Sequence, residues 1–339
     1  MNNTLNMDKL DFIRLLENTT IPEECADTAK YLQPIGNALM EIMPPLLFRF
    51  RTINEYSLNA LDKDLIFCSR AKDFNDPYDS LLTAQSLETI LNTDPQSQFS
   101  LMSVFRQLLI EGYEIPEHIR NVFPSDLLKN LVASLREKSK DSPDVNDLDK
   151  FTQIVNELKK RVHFFEVELR NSNSFACFSE AISSITMWGH YADYHKGFAL
   201  SYDMRPLISS PSGNIMVMPV IYSSIRFDAT NLLASCLGKN IGIPVKRLDM
   251  LDSIKSSLYK SPDWEYEKEW RLINTNNMLD SHPHLKYAPV GIYYGARISD
   301  INKKILHRIA FEKGLAEFEM YIDKSSSDYE MKIRPLSSK

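Results

Sequence analysis

Apolar residues recur at helical spacing in the first part of the chain, which predicts two helices before residue 45. Leu10, Ile13 and Leu16 mark the first helix, and Ile35, Leu39 and Ile42 mark the second. A break around Pro22 separates them. Pro44 and Pro45 should end the second helix, because proline has no N–H to donate and disfavours the helical conformation in the residue before it. Residues 1–45 are therefore predicted to form an N-terminal helical segment.

Alternation of apolar and polar residues begins after these prolines and predicts strands. In residues 46–51 it places Arg49 and Arg51 on one face and Phe48 and Phe50 on the other. Further apolar runs predict strands at residues 65–69, 175–179, 198–202, 219–222, 286–294, 317–322 and 331–333, with a helix at 299–313.

Residues 85–170 return to helical spacing between two groups of predicted strands. This arrangement predicts an α+β fold with a mixed, mostly antiparallel central sheet. The core domain is expected to comprise residues 46–84 and 174–335, and residues 85–173 are expected to form a helical insertion that offers a surface for a protein partner.

Charge and aromatic surface are densest in residues 264–273, WEYEKEWRLI. A helix through this stretch would have no apolar stripe, so the pattern favours a strand. Carboxylates at alternate strand positions repel one another unless a cation or a ligand offsets them. We therefore expect the charged face to border a site, with Glu265 its most solvent-facing member, and the aromatic face to join the core. The predicted charged face consists of Glu265, Glu267, Glu269 and Arg271, and the aromatic face of Trp264, Tyr266, Trp270 and Leu272.

Composition and charge narrow the classes of function. The 339 residues are 43% hydrophobic and 25% charged, with a mean hydropathy of -0.28, which is typical of a globular protein. A net charge of -6 argues against a general nucleic-acid binder. No glycine-rich phosphate loop, signal peptide or membrane-span-length apolar run occurs. The four cysteines are scattered, so we expect reduced thiols, no metal site and a cytoplasmic protein without a membrane partner.

Two further patterns suggest polar sites. Arg49 and Arg51 side by side suit phosphate, because a guanidinium offers a planar fork to its oxygens, although they can equally neutralise carboxylates in the sheet. Asp76 before Pro77 predicts a helix N-cap, which leaves Asn75 and Asp76 either as capping residues or as ligand contacts.

Four boxes occur in order: FRFR, FNDPYD, CFSE with MWGHYADYHKGF, and WEYEKEWR. In their order and rough spacing they resemble a widespread bacterial family of proteins of unknown function. The resemblance covers residues 46–84 and 174–335 and implies no particular chemistry.

The order of an arginine strand, a Phe-Ser strand and a Glu-x-Glu strand is also similar to the motifs of ADP-ribosyltransferases. That resemblance implies NAD as substrate and a fold of that type. Arg51 or Arg49 would hold a phosphate or ribose, and Ser179 would support the nicotinamide end. Glu269 would be the catalytic glutamate, and Glu267 would steer the acceptor.

The same resemblance assigns the remaining contacts to aromatic and polar residues around the boxes. The expected ligand contacts are Trp188 and Tyr191 for stacking, together with His190, Asn75, Asp76 and Arg271. The acceptor would be an unidentified protein or nucleic acid, and the biological setting a toxin or anti-phage, antiviral defence effector.

Two other interpretations remain open. A non-catalytic nucleotide sensor or interaction module would use the same arginines and glutamates as a ligand pocket. A metal-dependent nuclease would pair Asp76 or Asp79 with Glu267. Such a site needs a lysine beside the carboxylates, and Lys268 is expected on the opposite face of the strand.

Overall fold

The computed structural model describes residues 7–22, 25–83, 145–209, 214–230, 249–275, 283–327 and 331–336, with a few isolated positions between them. Most of the predicted insertion before residue 145 therefore lies outside the described residues. Helices α1 (Lys9–Asn18) and α2 (Ala29–Ile42) lie at the two predicted helical positions before residue 45, and α2 ends just before the two prolines. Asp8 caps α1 by accepting a hydrogen bond from the Asp11 backbone N–H.

The remaining helices are short, apart from one in the predicted insertion and one near the end of the chain. They are α3 (Glu55–Asp62), α4 (Val145–Ser172), α5 (Ile185–Tyr191), α6 (Arg205–Ser209), α7 (Asp252–Ser256) and α8 (Asp300–Lys313), with 3-10 turns at Ala71–Asp73 and Pro262–Glu267. Among the described residues, no helix combines the length and apolar character that a membrane span requires.

The strands form one large sheet and two small ones. They are β1 (Leu47–Arg51), β2 (Leu65–Phe67), β3 (Ser69–Arg70), β4 (Ser174–Ser179), β5 (Phe198–Tyr202), β6 (Ile215–Pro219), β7 (Ile221–Tyr222), β8 (Tyr259–Lys260), β9 (Glu269–Asn274), β10 (His284–Lys286), β11 (Gly291–Tyr294), β12 (Ala316–Ile322) and β13 (Met331–Pro335). The large sheet has the order β13-β12-β11-β5-β1-β4-β9-β6, and β3 pairs with β4. The β11–β12 pair is parallel and the other pairs of this sheet are antiparallel, which confirms the α+β prediction.

Apolar side chains cover both faces of the large sheet. One cluster, with Phe12, Trp270 and Tyr294, joins helices α1, α2 and α8 to the sheet. A second cluster covers part of the other face and contains Phe50 and Trp188. The sheet is therefore a buried platform whose polar residues must be paired or must face a cavity.

The pairing between β1 and β4 positions the site. These neighbouring strands share one residue pair, Phe48 with Ser179. By strand alternation, Arg49 and Arg51 leave the sheet on the opposite face from Ser179 and its partner Glu269. Because β1 and β4 separate after their one pair, a cleft opens between them. Residues from both faces line this cleft.

Three details of the predicted elements are wrong. Residues 262–267 form a 3-10 turn that ends at Lys268, whose backbone is left-handed (φ 45°), and the predicted strand begins only at Glu269. The predicted helix after Asp76 is a turn, in which Asp76 accepts a hydrogen bond from the Tyr78 backbone N–H. The predicted strands 65–69, 219–222 and 286–294 each divide between two strands of different sheets, namely β2 and β3, β6 and β7, and β10 and β11.

Candidate functional site

The cleft between β1 and β4 has a volume of about 250 Å³ and collects residues from most of the sequence boxes. Arg49 and Arg51 line it together with Glu267 and Glu269, and Cys177 of β4 also lines the wall. We call the part around the two glutamates the glutamate end and the part around the two arginines the arginine end. The predicted site residues that line it are Arg49, Arg51, Asn75, Ser179, Tyr191, Glu267 and Glu269.

The glutamate end is organised around a buried lysine. Lys260 Nζ donates to Glu267 at 2.6 Å and to Glu269 at 2.7 Å. Both carboxylates are at least 96% buried, with exposed fractions of 4% and 3%. Burial alone would lower the pKa of Lys260, but the two carboxylates raise it above its usual value, so the ammonium stays charged.

Arg271 closes this network from behind. Its guanidinium donates to Glu269 Oε1 at 2.8 Å and to Asp79 Oδ2 at 2.6 Å, and its side chain is fully buried. The three carboxylates Asp79, Glu267 and Glu269 therefore face two cations. If all three are ionised, the cluster carries one uncompensated negative charge beside the cleft.

The two glutamates differ in proton affinity. Burial acts to raise the pKa of Glu269, but Arg271 and Lys260 outweigh it and lower that pKa to about 2. For Glu267, burial prevails with the help of Glu269, and the pKa is raised. Glu269 therefore favours its ionised form more strongly than Glu267 does.

Ser179 and Tyr191 position Glu267. The Ser179 hydroxyl donates to the Glu267 backbone carbonyl at 2.5 Å and accepts from the Ala181 backbone N–H. The Tyr191 hydroxyl donates to Glu267 Oε1 at 2.5 Å. Their side chains hold the glutamate as well as lining the cleft.

The arginine end has no acidic partner. Within the described residues, neither Arg49 nor Arg51 forms an ion pair, and Arg49 donates instead to the Phe67 backbone carbonyl at 2.6 Å. Arg49 is 9% exposed. Burial and the neighbouring Arg49 lower the pKa of Arg51 to about 9. An anion in the cleft would supply the direct ion pair that these two guanidinium groups lack among the described residues.

Four predicted contacts lie outside the cleft. Trp188 is fully buried in the core, where its indole N–H donates to the Ile182 carbonyl, so it offers no stacking surface. His190 is exposed and pairs with the Tyr266 hydroxyl at 3.1 Å. Asp76 faces a neighbouring cavity, because the turn that it caps directs it away. Arg271 lies behind Glu269 and is screened from the cleft by it.

Only part of the predicted aromatic face of residues 264–273 is buried in the core. Trp270 is fully buried as expected, but Trp264 and Tyr266 belong to the 3-10 turn and are only partly buried. Glu265 is exposed, as predicted.

Lys260, Asp79 and Cys177 are site residues to which the sequence analysis gave no part in the predicted NAD site. Lys260 supplies the lysine that a nuclease site would need, but it occupies the space between the carboxylates where a metal would bind. Among the described residues, no group of three or more His, Cys, Asp or Glu side chains has the arrangement of a metal site. The sequence signal that was available is the unusual density of carboxylates, which requires a buried cation from elsewhere in the chain.

Residues 187–272 match the model of a family described as a protein of unknown function (DUF2971). The matched stretch contains the glutamate end of the cleft with its lysine, whereas β1 and its arginines lie before it. The match agrees with the resemblance noted from the boxes over this part of the chain. No curated protein and no solved structure matches the chain.

Proposed function

We propose that the chain binds NAD in the cleft and catalyses ADP-ribosyl transfer to a macromolecular acceptor. The observation that carries the proposal is the division of charge within one cleft. Arg49 and Arg51, which form no ion pair among the described residues, line the same cleft as a buried cluster in which three carboxylates face two cations. The arginines suit the diphosphate of NAD, and the glutamates suit the ribose that carries nicotinamide.

The reaction breaks the bond between nicotinamide N1 and ribose C1′. The bonding electrons move to nicotinamide, and positive charge develops on the ribose. Because Glu269 is fixed and ionised, it stabilises this charge more in the transition state than in the ground state. The acceptor nucleophile then bonds to C1′ and releases a proton.

Glu267 is suited to take that proton. Its raised pKa makes it a better base than an ordinary glutamate, and its hydrogen bonds from Tyr191 and Lys260 fix its position. Lys260 neutralises part of the repulsion between the two glutamates, so that both carboxylates can occupy one end of the cleft.

The test is release of nicotinamide from NAD, and transfer of labelled ADP-ribose, by the purified full chain with cell lysate as acceptor. Glu269→Gln should lower the rate by roughly 100-fold or more. Glu265→Gln is the matched control, since this glutamate lies in the same stretch but is exposed and outside the cleft. It should leave the rate within about twofold of wild type, as expected of a surface substitution.

Glu269→Gln removes a partner of two buried cations, so its folding must be checked by thermal melting. Glu269→Asp is the second variant, because it keeps the carboxylate charge but shortens the side chain by one methylene group. A folded Glu269→Asp protein with wild-type turnover would contradict the assigned role. NAD binding to wild-type protein without nicotinamide release would overturn catalysis and support a nucleotide sensor.

A further inference from the structure

A second cavity of about 890 Å³ adjoins the cleft on its arginine side. Three residues line both spaces: Arg51 at the end of β1, and Ser69 and Asp73 in the segment that follows β2. The two cavities are therefore neighbours, with the Arg51 guanidinium at their junction. We call them the cleft and the outer cavity.

The lining of the outer cavity is basic and carries an exposed aromatic ring. Among the described lining residues are the basic side chains Arg51, Arg70 and Lys72 and one carboxylate, that of Asp73, although the whole chain has a net charge of -6. Tyr56 also lines the cavity and is 82% exposed.

Local structure holds Tyr56 in this place. Helix α3 begins with a capping box, in which Asn54 accepts from the Ser57 backbone N–H at 2.9 Å and the Ser57 hydroxyl accepts from the Asn54 N–H. This cap fixes the first helical turn, from which Tyr56 projects. A large ring that is fixed at its backbone but not packed is suited to stack against a base.

The volume of the cleft leaves part of a dinucleotide outside it. Sites for drug-sized ligands usually measure about 300 to 1,000 Å³, so a cleft of about 250 Å³ accommodates roughly half of a dinucleotide. The other half must continue past Arg51 into the outer cavity.

We propose that the outer cavity binds a nucleoside diphosphate, with the diphosphate between Arg51 and Lys72 and the base against Tyr56. For NAD this is the adenosine half, while the nicotinamide ribose enters the cleft. The identity of the complete ligand rests on the proposed function. Binding of a free nucleoside diphosphate does not depend on the proposed function, because it needs only the outer cavity and its junction with the cleft.

Titration calorimetry with ADP, nicotinamide mononucleotide and NAD separates the two halves. Tyr56→Ala should weaken binding of ADP and NAD by about 5- to 100-fold, which is the usual effect of removing one stacking ring. Binding of nicotinamide mononucleotide should be unchanged. Tyr56→Phe keeps the ring and should bind all three like wild type. Tyr329→Ala, which removes a 98% exposed tyrosine that does not line the outer cavity, is the matched control.

Lys72 and Asp73 are adjacent and carry opposite charges, so neutralising each should change ADP binding in the opposite direction. Lys72→Gln should weaken ADP binding by a few fold, and Asp73→Asn should strengthen it by a similar factor, because one attracts and the other repels the diphosphate. Both effects should shrink as salt is raised, since the two side chains are exposed.

The outcomes distinguish this proposal from the catalytic one. If wild type releases nicotinamide from NAD but Tyr56→Ala binds ADP and NAD unchanged, the outer-cavity site is wrong and catalysis stands. If ADP binds in a Tyr56-dependent manner but no nicotinamide is released, the nucleotide site stands and catalysis fails. Absence of ADP binding to the wild-type chain overturns the outer-cavity site.

Discussion

Glu267 and Glu269 lie two residues apart and share Lys260, yet their pKa values change in opposite directions. The difference comes from Arg271, which contacts Glu269 directly. With this second cation, electrostatic attraction outweighs the desolvation of Glu269. Glu267 has Tyr191 instead, and a neutral hydroxyl offsets burial less than a guanidinium does. A proton that binds to the pair therefore goes mainly to Glu267.

We predict that Tyr191→Phe raises the pKa of Glu267 further. The Tyr191 hydroxyl donates to the ionised carboxylate, so its removal favours the protonated form. Carbon-13 NMR of labelled glutamate carboxyl groups measures this without any assumption about activity. The Glu267 titration should move to higher pH in the variant. A titration at the wild-type position, or one moved downward, would contradict the assigned hydrogen bond.

The sequence predicted which residues of two short segments would line the cleft. It did not predict the residues from distant segments that pair with them. Arg49, Arg51, Glu267 and Glu269 were predictable, because alternation within a short segment places them together. Asp79 was not, since it reaches Arg271 across 192 positions of the chain. Such pairing depends on the fold and leaves no local spacing to read.

Among the elements, the turn between α5 and β5 sets the position of β1. Asp193, Tyr194 and His195 are all left-handed, with φ of 46°, 53° and 72°. Each costs about 1–2 kcal/mol relative to right-handed backbone. Two backbone hydrogen bonds hold the turn: the His195 N–H donates to the carbonyl of Trp188 in α5, and the Gly197 N–H donates to the carbonyl of Ala192, the residue after α5. The turn brings the Gly197 backbone against the carbonyl of Arg51.

Gly197→Ala should therefore destabilise the protein by about 1–3 kcal/mol or more, because an added Cβ would lie 2.1 Å from the Arg51 carbonyl oxygen. Gly189→Ala is the control within the neighbouring helix. No atom lies within 4 Å of its added Cβ, and alanine favours helix by about 0.5–1 kcal/mol. Urea unfolding of both variants measures the difference. Equal stability of the two variants would contradict the close approach at Arg51.

The elements themselves were predictable where one physical preference dominated. Paired prolines ended α2, and alternation identified β1. The stretch before Glu269 was mispredicted because its alternation also fits a 3-10 turn that ends at left-handed Lys268. In both conformations Glu267 and Glu269 lie close together, and in the structure both carboxylates contact Lys260.

In the whole molecule, the buried ion network joins parts of the core that the predicted insertion separates. Asp79 precedes that insertion and Arg271 follows it, and their side chains meet at 2.6 Å with almost no exposure. Arg170, near the end of α4, donates to the carbonyls of Pro77 and Asp79. The network therefore couples the shape of the cleft to the closure of the whole core, and the stability of the protein should depend on its ionisation.

The stability of the folded protein should depend on pH through Glu269 and Glu267. The folded-state pKa of Glu269 is about 2, against an ordinary value of 4.5, so its ionised form favours the folded state. This stabilisation, on the order of 3 kcal/mol, is present above about pH 4.5 and is lost as pH falls toward 2. Glu267 acts in the opposite sense. Its raised pKa gives a contribution that is present in acid and lost as pH rises.

The two substitutions should consequently change the pH dependence of unfolding in opposite directions. Glu267→Gln should make the loss of stability between pH 6 and pH 3 steeper, and Glu269→Gln should make it shallower, whatever each does to stability at neutral pH. Urea unfolding across this range gives the slopes, and Glu265→Gln, on the exposed neighbour, should follow wild type. Equal slopes for the two variants would contradict the opposite pKa shifts of Glu267 and Glu269. Opposite changes would show that Glu269 stays ionised in the folded protein down to lower pH than Glu267 does, as the opposite shifts of their pKa values require.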